Sequence, residues 1–387
     1  MRIMILGGDG YLGWPTAMYL SSKGHEVCVV DNMIKRYWEH ELGVQPLFQV
    51  FPLHQRAAEW KKLTGVNISI EVGDITHNHR FLQKAFDTFK PESVVHYAEQ
   101  PSAPFSMMDR EKCVSTQVNN IVGTLNLMFT IQRSNPDIHI VKLGTMGEYG
   151  QPNIDIEEGW LNVTHNGRSD RVLFPKMPGS FYHLSKVADS YNLEFATRIW
   201  GLAVTDLNQG VVYGTETDES EMSPVIGTSF HYDSTFGTVL NRFIVQAISG
   251  RELTVYGNGT QTRGYLNIKD TIRCVELAIT NPAKPGEFRV FNQFTEQFSV
   301  GQLAEMVRVS AKNLGINVVV KSIPNPRVEL ENHYYNAKHS ALEGLGLKPI
   351  LLTEDRLTDM LRTAQTAANR VDPDVIMPVT KWNQRTK

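Results

Sequence analysis

Cysteine is scarce in this chain, and the little there is lies scattered. The three cysteines, Cys28, Cys113 and Cys274, are far apart and form no Cys-x-x-Cys pair. That spacing argues against a disulfide framework or a cysteine-based zinc site, and it suits a reducing compartment. No apolar run is long enough to span a bilayer, so membrane insertion is not expected. No secretory signal is expected within this sequence, because Arg2-Ile3-Met4-Ile5-Leu6-Gly7 already reads as a first core strand. Neither sign of charge dominates: 38 Lys and Arg stand against 41 Asp and Glu, a formal net charge of −3. That balance gives no electrostatic reason to expect nucleic acid or an anionic membrane as a partner. His77-x-His79 lacks a convincing third ligand, so no metal is expected.

What the chain does have is alternation. Short β-type runs at 3–6, 26–31, 68–72, 93–97, 138–143 and 203–207 are separated by helical patterns at 16–23, 79–89, 111–132 and 181–200. Strands and helices taken in turn predict an α/β fold with a doubly wound parallel sheet. With 387 residues, 41% of them hydrophobic, the chain is expected to form roughly two to three domains, or one large α/β unit with a satellite.

Glycines at 7, 10 and 13, in Gly7-Gly8-Asp9-Gly10-Tyr11-Leu12-Gly13, directly follow the first strand and open the first helix. Glycine there permits a tight turn and lets backbone N–H groups approach a pyrophosphate. The glycine run alone is a weak signal; the strand–turn–helix setting strengthens it. Asp31, followed by Asn32, ends the second strand 18 residues after Gly13. A carboxylate there accepts hydrogen bonds from a ribose and repels a 2′-phosphate, so NAD is expected rather than NADP. Asp74 and Ile75 follow the third strand and are expected near the adenine. Tyr97, Ala98 and Glu99 follow the fourth and are expected to face the middle of the cofactor. Asn119 lies on the next helix and is expected beside the cofactor, holding a water or backbone carbonyl near the active site, against the plain reading of an ordinary polar helix residue.

Tyr182 and Lys186 are four apart in a helical pattern and so share one face. A nearby ammonium lowers a phenol's pKa and would let Tyr182 take a proton from a substrate hydroxyl. Such pairs arise by chance in many helices, and it is the dinucleotide unit upstream that gives this one meaning. Thr145, just past the fifth strand, stands at the carboxyl edge where doubly wound sheets place their chemistry.

These features resemble the extended short-chain dehydrogenase/reductase family acting on nucleotide sugars, over nearly the whole chain. The resemblance implies NAD-dependent oxidation at a sugar carbinol by Thr145, Tyr182 and Lys186, with Tyr11, Leu12 and Val212 also beside the cofactor. Gln209, Arg242, Tyr256, Arg263 and Arg327 would hold the sugar nucleotide, the arginines gripping its diphosphate. A homodimer is usual in that family. On this basis residues 1–208 are expected to form the NAD-binding domain, with an insertion at about 151–178 and returning segments at about 237–250 and 268–296. Residues 209–236, 251–267 and 297–387 are expected to form a smaller substrate-binding lobe, its tail from Arg370 to Lys387 too polar to place.

Thr145-Met146-Gly147-Glu148 departs from the 4,6-dehydratases, which carry an Asp-Glu pair directly after the Thr. The runs 144–150, 180–186, 205–214 and 291–299, and the insertion at 153–159 and 164–168, resemble one branch whose members join sulfite to C6 of UDP-glucose. The resemblance implies oxidation at C4, loss of water across C5–C6, sulfite addition at C6 and return of the hydride. With Met146 and Gly147 unable to move protons, His183 is the candidate for the elimination, against the plainer reading of a helix histidine turned to solvent. Glu148 is expected to pack away from the site. Arg168, Arg171 and Lys176 in the insertion are candidate sulfite contacts, each equally readable as a solvated loop residue. Pro101 stands where plant members of the branch carry Arg. The alternatives are a UDP-glucose 4-epimerase-like enzyme and a non-catalytic protein that binds NAD or a UDP-sugar. The expected location is the cytoplasm, or the chloroplast stroma for a processed organellar form.

Overall fold

Alternation within the strands explains how the chain covers both faces of one sheet. In the computed structural model, which describes residues 1–330 and 332–382, Ile3 and Ile5 of β1 (Arg2–Leu6) enter one apolar cluster. Met4 and Leu6 enter another on the opposite side. The same split recurs in β2 (Glu26–Asp31), where Val27 and Val29 face one way and Cys28 and Val30 the other. A strand buried on both faces belongs in the interior of a parallel sheet with helices on either side.

The sheet continues through β3 (Ile68–Val72), β4 (Ser93–His96) and β5 (His139–Thr145). Past β5 the chain leaves it for an antiparallel hairpin, β6 (Trp160–His165) and β7 (Arg168–Leu173). It returns as β8 (Ala203–Gln209), and later supplies β12 (Phe288–Gln293) as an edge strand. All seven strands of this sheet run parallel, in the order β12-β8-β5-β4-β1-β2-β3. The order reverses between β1 and β4, and the crevice at their carboxyl ends is the usual ligand position of such sheets.

The remaining strands build a second, smaller body. β9 (Val211–Tyr213), β11 (Thr262–Asn267) and β13 (Glu296–Ser299) form a three-stranded sheet. β10 (Leu253–Tyr256) pairs with β14 (Val320–Ile323). Helices Val239–Ile248, Val300–Lys312 and Glu354–Gln365 pack around them on a core that includes Phe243, Leu303 and Leu361. Residues 383–387, part of the expected lobe and polar tail, lie outside the described residues.

Two local features depart from the simple pattern. The helix expected at 111–132 is three segments: Arg110–Gln117, a wide π-type stretch at Val118–Val122, and Gly123–Ser134. The hairpin turns at Asn166-Gly167, both with positive φ (48° and 74°). That pair is a strong two-residue hairpin signal, so the ordered insertion was legible in the sequence as more than an interruption. Among the described residues no helix is long and apolar enough to cross a membrane. None of them forms a cluster able to hold a metal ion.

Candidate active site

A cavity of about 480 Å³ runs from the β1 and β2 ends of the sheet to the second body. At its first end the glycine loop is fitted with no slack. A Cβ on Gly13 would stand 2.0 Å from the Gly7 carbonyl oxygen, so only glycine lets the helix Gly13–Ser22 start against β1. Asp31 receives the Asp9 N–H at 2.8 Å and the Met33 N–H at 2.7 Å, which fixes its carboxylate at the cavity wall. Gly7, Gly10, Tyr11, Leu12, Asn32, Ile75, Ala98, Asn119 and Val212 share that wall. Tyr97 does so too, its hydroxyl 3.3 Å from Thr16 Oγ1.

Asp74 does not line the cavity. Its carboxylate is taken up by its own turn, receiving the Thr76 N–H at 2.7 Å, the His77 N–H at 2.9 Å and the Asn32 amide at 3.0 Å. Arg36 lines the wall beside Asp31 and went unread in the sequence. Its guanidinium grips Asp9 through two hydrogen bonds, at 2.6 and 3.0 Å, and nearly buried Arg56 closes on the same carboxylate.

The middle of the cavity carries Thr145, Tyr182 and His183, the side chains expected to react. Ser180 caps the helix Phe181–Trp200, its hydroxyl accepting the His183 N–H at 3.2 Å, and this sets Tyr182 and His183 in the first turn. The Tyr182 N–H is held by Ser106 Oγ at 3.0 Å. Thr145 ends β5 opposite them. Its hydroxyl accepts the Gly147 N–H at 3.2 Å, and its own N–H donates to Glu148 Oε1 at 3.2 Å. A Cβ on Gly147 would meet His183 Nε2 at 2.3 Å, so the glycine makes room for the imidazole; the ring lines the cavity and is not turned to solvent. Burial, with Arg327 and Arg263 adding to it, brings the His183 pKa down to about 3, so the ring is neutral.

Lys186 brings a third group to the Tyr–Lys pair. It lies beneath the wall, its ammonium donating to the Leu143 carbonyl at 2.7 Å and pairing with Glu99 at 2.7 Å. Burial first, and then the charges of Glu99 and Glu148, push the Tyr182 phenol up, while the Lys186 ammonium stands 5.9 Å from the centre of its ring. Glu99 reaches the cavity wall, but its carboxylate belongs to the lysine. Asn120, next to the expected Asn119, is the buried joint here. It accepts the Gln100 N–H at 2.7 Å and donates to Ser185 Oγ at 2.9 Å, tying the helix of Tyr182 to the loop after β4. The π-type turn that puts two adjacent asparagines to different uses leaves no periodic trace in the sequence.

The far end of the cavity is cationic. Arg242 donates to the Tyr256 hydroxyl at 2.7 Å and stacks on its ring at 4.2 Å. Arg263 pairs with Glu329 at 2.5 Å, and Arg327 lies over the Trp382 ring at 5.2 Å. Gln209 joins the same wall. Among the described residues no carboxylate comes within ion-pair distance of Arg242 or Arg327. Three guanidiniums lining one cavity with one counter-charge have the charge and hydrogen-bond geometry to receive a doubly charged anion.

The insertion supplies none of this cavity's cations. Arg168 and Arg171 are exposed on β7, Arg171 lying over Trp160, and Lys176 is buried against Glu148. Glu148 packs inward as expected, but as an ion: Lys142 and Lys176 outweigh its burial and hold it at about 2.

Residues 3–292 match the NAD dependent epimerase/dehydratase family. The chain belongs to that family. Within it, the chloroplastic UDP-sulfoquinovose synthase of Spinacia oleracea is 54% identical over 383 residues, 99% of this chain and 79% of that protein. The UDP-sulfoquinovose synthase of Sulfolobus acidocaldarius is 43% identical, covering 99% of this chain and 98% of its own length. Among solved structures, a UDP-glucose 4-epimerase of Thermotoga maritima superposes with a TM-score of 0.69 at 21% identity. The alignment covers 95% of this chain and 99% of that one, a likeness of fold.

Proposed function

We infer that this chain is a UDP-sulfoquinovose synthase, converting UDP-glucose and bisulfite to UDP-6-sulfoquinovose and water. The observation that carries the reading is full-length identity to two synthases, from a plant and an archaeon, joined to a cavity that places Thr145, Tyr182 and His183 between a glycine cradle and three arginines.

The first end of the cavity fits NAD, because the Gly7–Gly13 approach frees backbone N–H groups at a helix start and Asp31 suits an unphosphorylated ribose. When bound, NAD supplies the hydride acceptor for C4 and returns the hydride at the end. The chain does the rest. Arg242, Arg263 and Arg327 hold the diphosphate, with Gln209 and Tyr256 beside the sugar nucleotide. Thr145 orients the C4 hydroxyl, and Tyr182 removes its proton and later gives it back. The C4 ketone acidifies C5–H. Neutral His183 takes that proton and, as a strongly acidic imidazolium, delivers it to the departing C6 hydroxyl. Sulfur then bonds to C6, and the proton that bisulfite brought completes C5. Met146 and Gly147 take no part, Met146 being buried in the apolar cluster beneath the loop.

A stripe of exposed apolar residues on the helix of Tyr182, including Leu184, Tyr191, Phe195 and Ile199, supports a homodimer through that helix and its neighbour. Light scattering on Phe195→Glu tests it, a monomer being the expected result. The three free cysteines suit a reducing compartment, cytoplasm or plastid stroma.

Mass spectrometry of the protein incubated with UDP-glucose and isotopically labelled sulfite tests the reaction. A labelled UDP-sulfohexose is expected, and UDP-galactose or unchanged substrate overturns the reading. His183→Ala should retain hydride exchange at C4 and lose sulfonation; sulfonation at the wild-type rate removes the imidazole from the mechanism.

A further inference from the structure

Beneath the reacting face lies a closed group of ions. Three ammoniums, Lys142, Lys176 and Lys186, meet four carboxyls, Glu99, Glu148, Asp189 and Asp206, and every one of these side chains is 3% exposed or less. Three of the carboxyls have cations. Glu148 pairs with Lys142 at 3.2 Å and with Lys176, Asp206 pairs with Lys142 at 3.2 Å, and Glu99 pairs with Lys186 at 2.7 Å. Asp189 has none. Neither of its oxygens receives a hydrogen bond from an N–H or hydroxyl of the described residues, and the group it meets is the Glu99 carboxyl.

A buried carboxylate with neither donor nor cation is not tenable in a low-dielectric interior, and two adjacent carboxylates are less so. Counting gives the same answer, since four negative charges against three positive leave one carboxyl in excess. We propose that Asp189 carries a proton and donates it to Glu99, and that this carboxyl pair sets how much of the Lys186 charge reaches Tyr182. The proposal rests on the reading of Tyr182 as the group that takes the C4 hydroxyl proton. Asp189 and Glu99 are positioning residues, because they act through Lys186.

The surroundings of the pair agree. Glu99 is faced by Lys186, by Lys142 from β5, and by His96 of β4 at 3.7 Å. Burial holds His96 near about 4, so it is neutral at working pH and leaves the balance of charge unchanged. Burial and the Glu99 charge push the Asp189 acid well up, while Lys186 overcomes burial to keep Glu99 ionised. Lys186 faces Tyr182 at 5.9 Å from its ring centre, and the charges of Glu99, Glu148 and Lys142 act on the same phenol. Asp206 and Glu148 sit farther back, joined through Ser190, whose hydroxyl lies 2.7 Å from Asp206 and 3.0 Å from Glu148.

Two measurements on the full chain with its cofactor test the proposal. Infrared difference spectra of wild type against Asp189→Asn should show one protonated-acid carbonyl band, shifted in D2O and missing from the variant. Absence of that band in wild type overturns the shared proton, whatever reaction the enzyme performs. The second is the acidic limb of kcat/KM for UDP-glucose in the sulfite-dependent reaction. Glu99→Gln removes a negative charge beside Lys186 and should move that limb down by about one pH unit, with Glu99→Asp restoring it. Asp189→Asn exchanges one neutral donor for another and should leave the limb where wild type has it. A limb that moves equally in both variants means that Asp189 is charged and refutes the proposal, as does a limb that Glu99→Gln leaves in place. No labelled product from wild type would overturn the proposed reaction and leave the infrared result standing.

Discussion

The two ends of the cavity are made of different materials. At the glycine end the cradle is backbone, a turn at residues 7–13 between one strand and one helix, with the Asp31 carboxylate beside it. The cationic end is three long side chains from a helix, a strand and a loop, Arg242, Arg263 and Arg327, assembled only when the second body folds. A backbone cradle has no side chain to lose and no room to gain one. A side-chain receptor can be dismantled one guanidinium at a time. The glycine end should therefore fail by steric exclusion and the arginine end by graded loss of affinity.

The largest effect is expected at the glycine end. Gly13→Val places its branches into the Gly7 carbonyl and should cost about 3 kcal/mol or more, with loss of retained NAD, read by melting temperature and by nucleotide released on denaturation. Arg327→Ala should raise KM for UDP-glucose by about ten- to a hundredfold while NAD retention stays at the wild-type level. Equal loss of NAD would erase the distinction between the two ends. A smaller effect belongs to the middle: Gly147→Ala drives a methyl into His183 Nε2 and should slow sulfonation by about tenfold, with hydride exchange at C4 less affected. The mildest is acid sensitivity. Burial holds His96 and His139 at about 4, below the value near 6.5 of an unfolded chain, so the stability they contribute is present above that value and is lost as pH falls. Each should remove about 1.4 kcal/mol per pH unit between roughly 6.5 and 4, visible in urea midpoints taken across that range.

The same contrast explains what could be read from the chain. Strands β1 to β5 and β8, the glycine turn and Asp31 were legible because each rests on a period or spacing contained in a few dozen residues. The edge strand β12 was not, since it joins β8 across about eighty residues and nothing local marks it as parallel. Tyr182, Thr145 and the arginines could be named by motif, but the partner of Lys186 could not. Glu99 precedes it by 87 residues, and only the crossing of β4 with the helix of Tyr182 joins them. Asp74 shows the opposite case: an Asp after a strand is equally well used by its own turn.

The wide turn at Val118–Val122 has a consequence for phase. A π-type turn holds one residue more than an α-turn, and each residue advances an α-helix by about 100°. Arg110–Gln117 is thus rotated against Gly123–Ser134 by more than a quarter turn relative to an unbroken helix. Deleting one residue there would swing Lys112, which now reaches Glu41 at 2.5 Å, to another side of the axis. The extra residue works as a rotary offset. It changes the phase of the rod while all three segments stay packed on the helix of Tyr182.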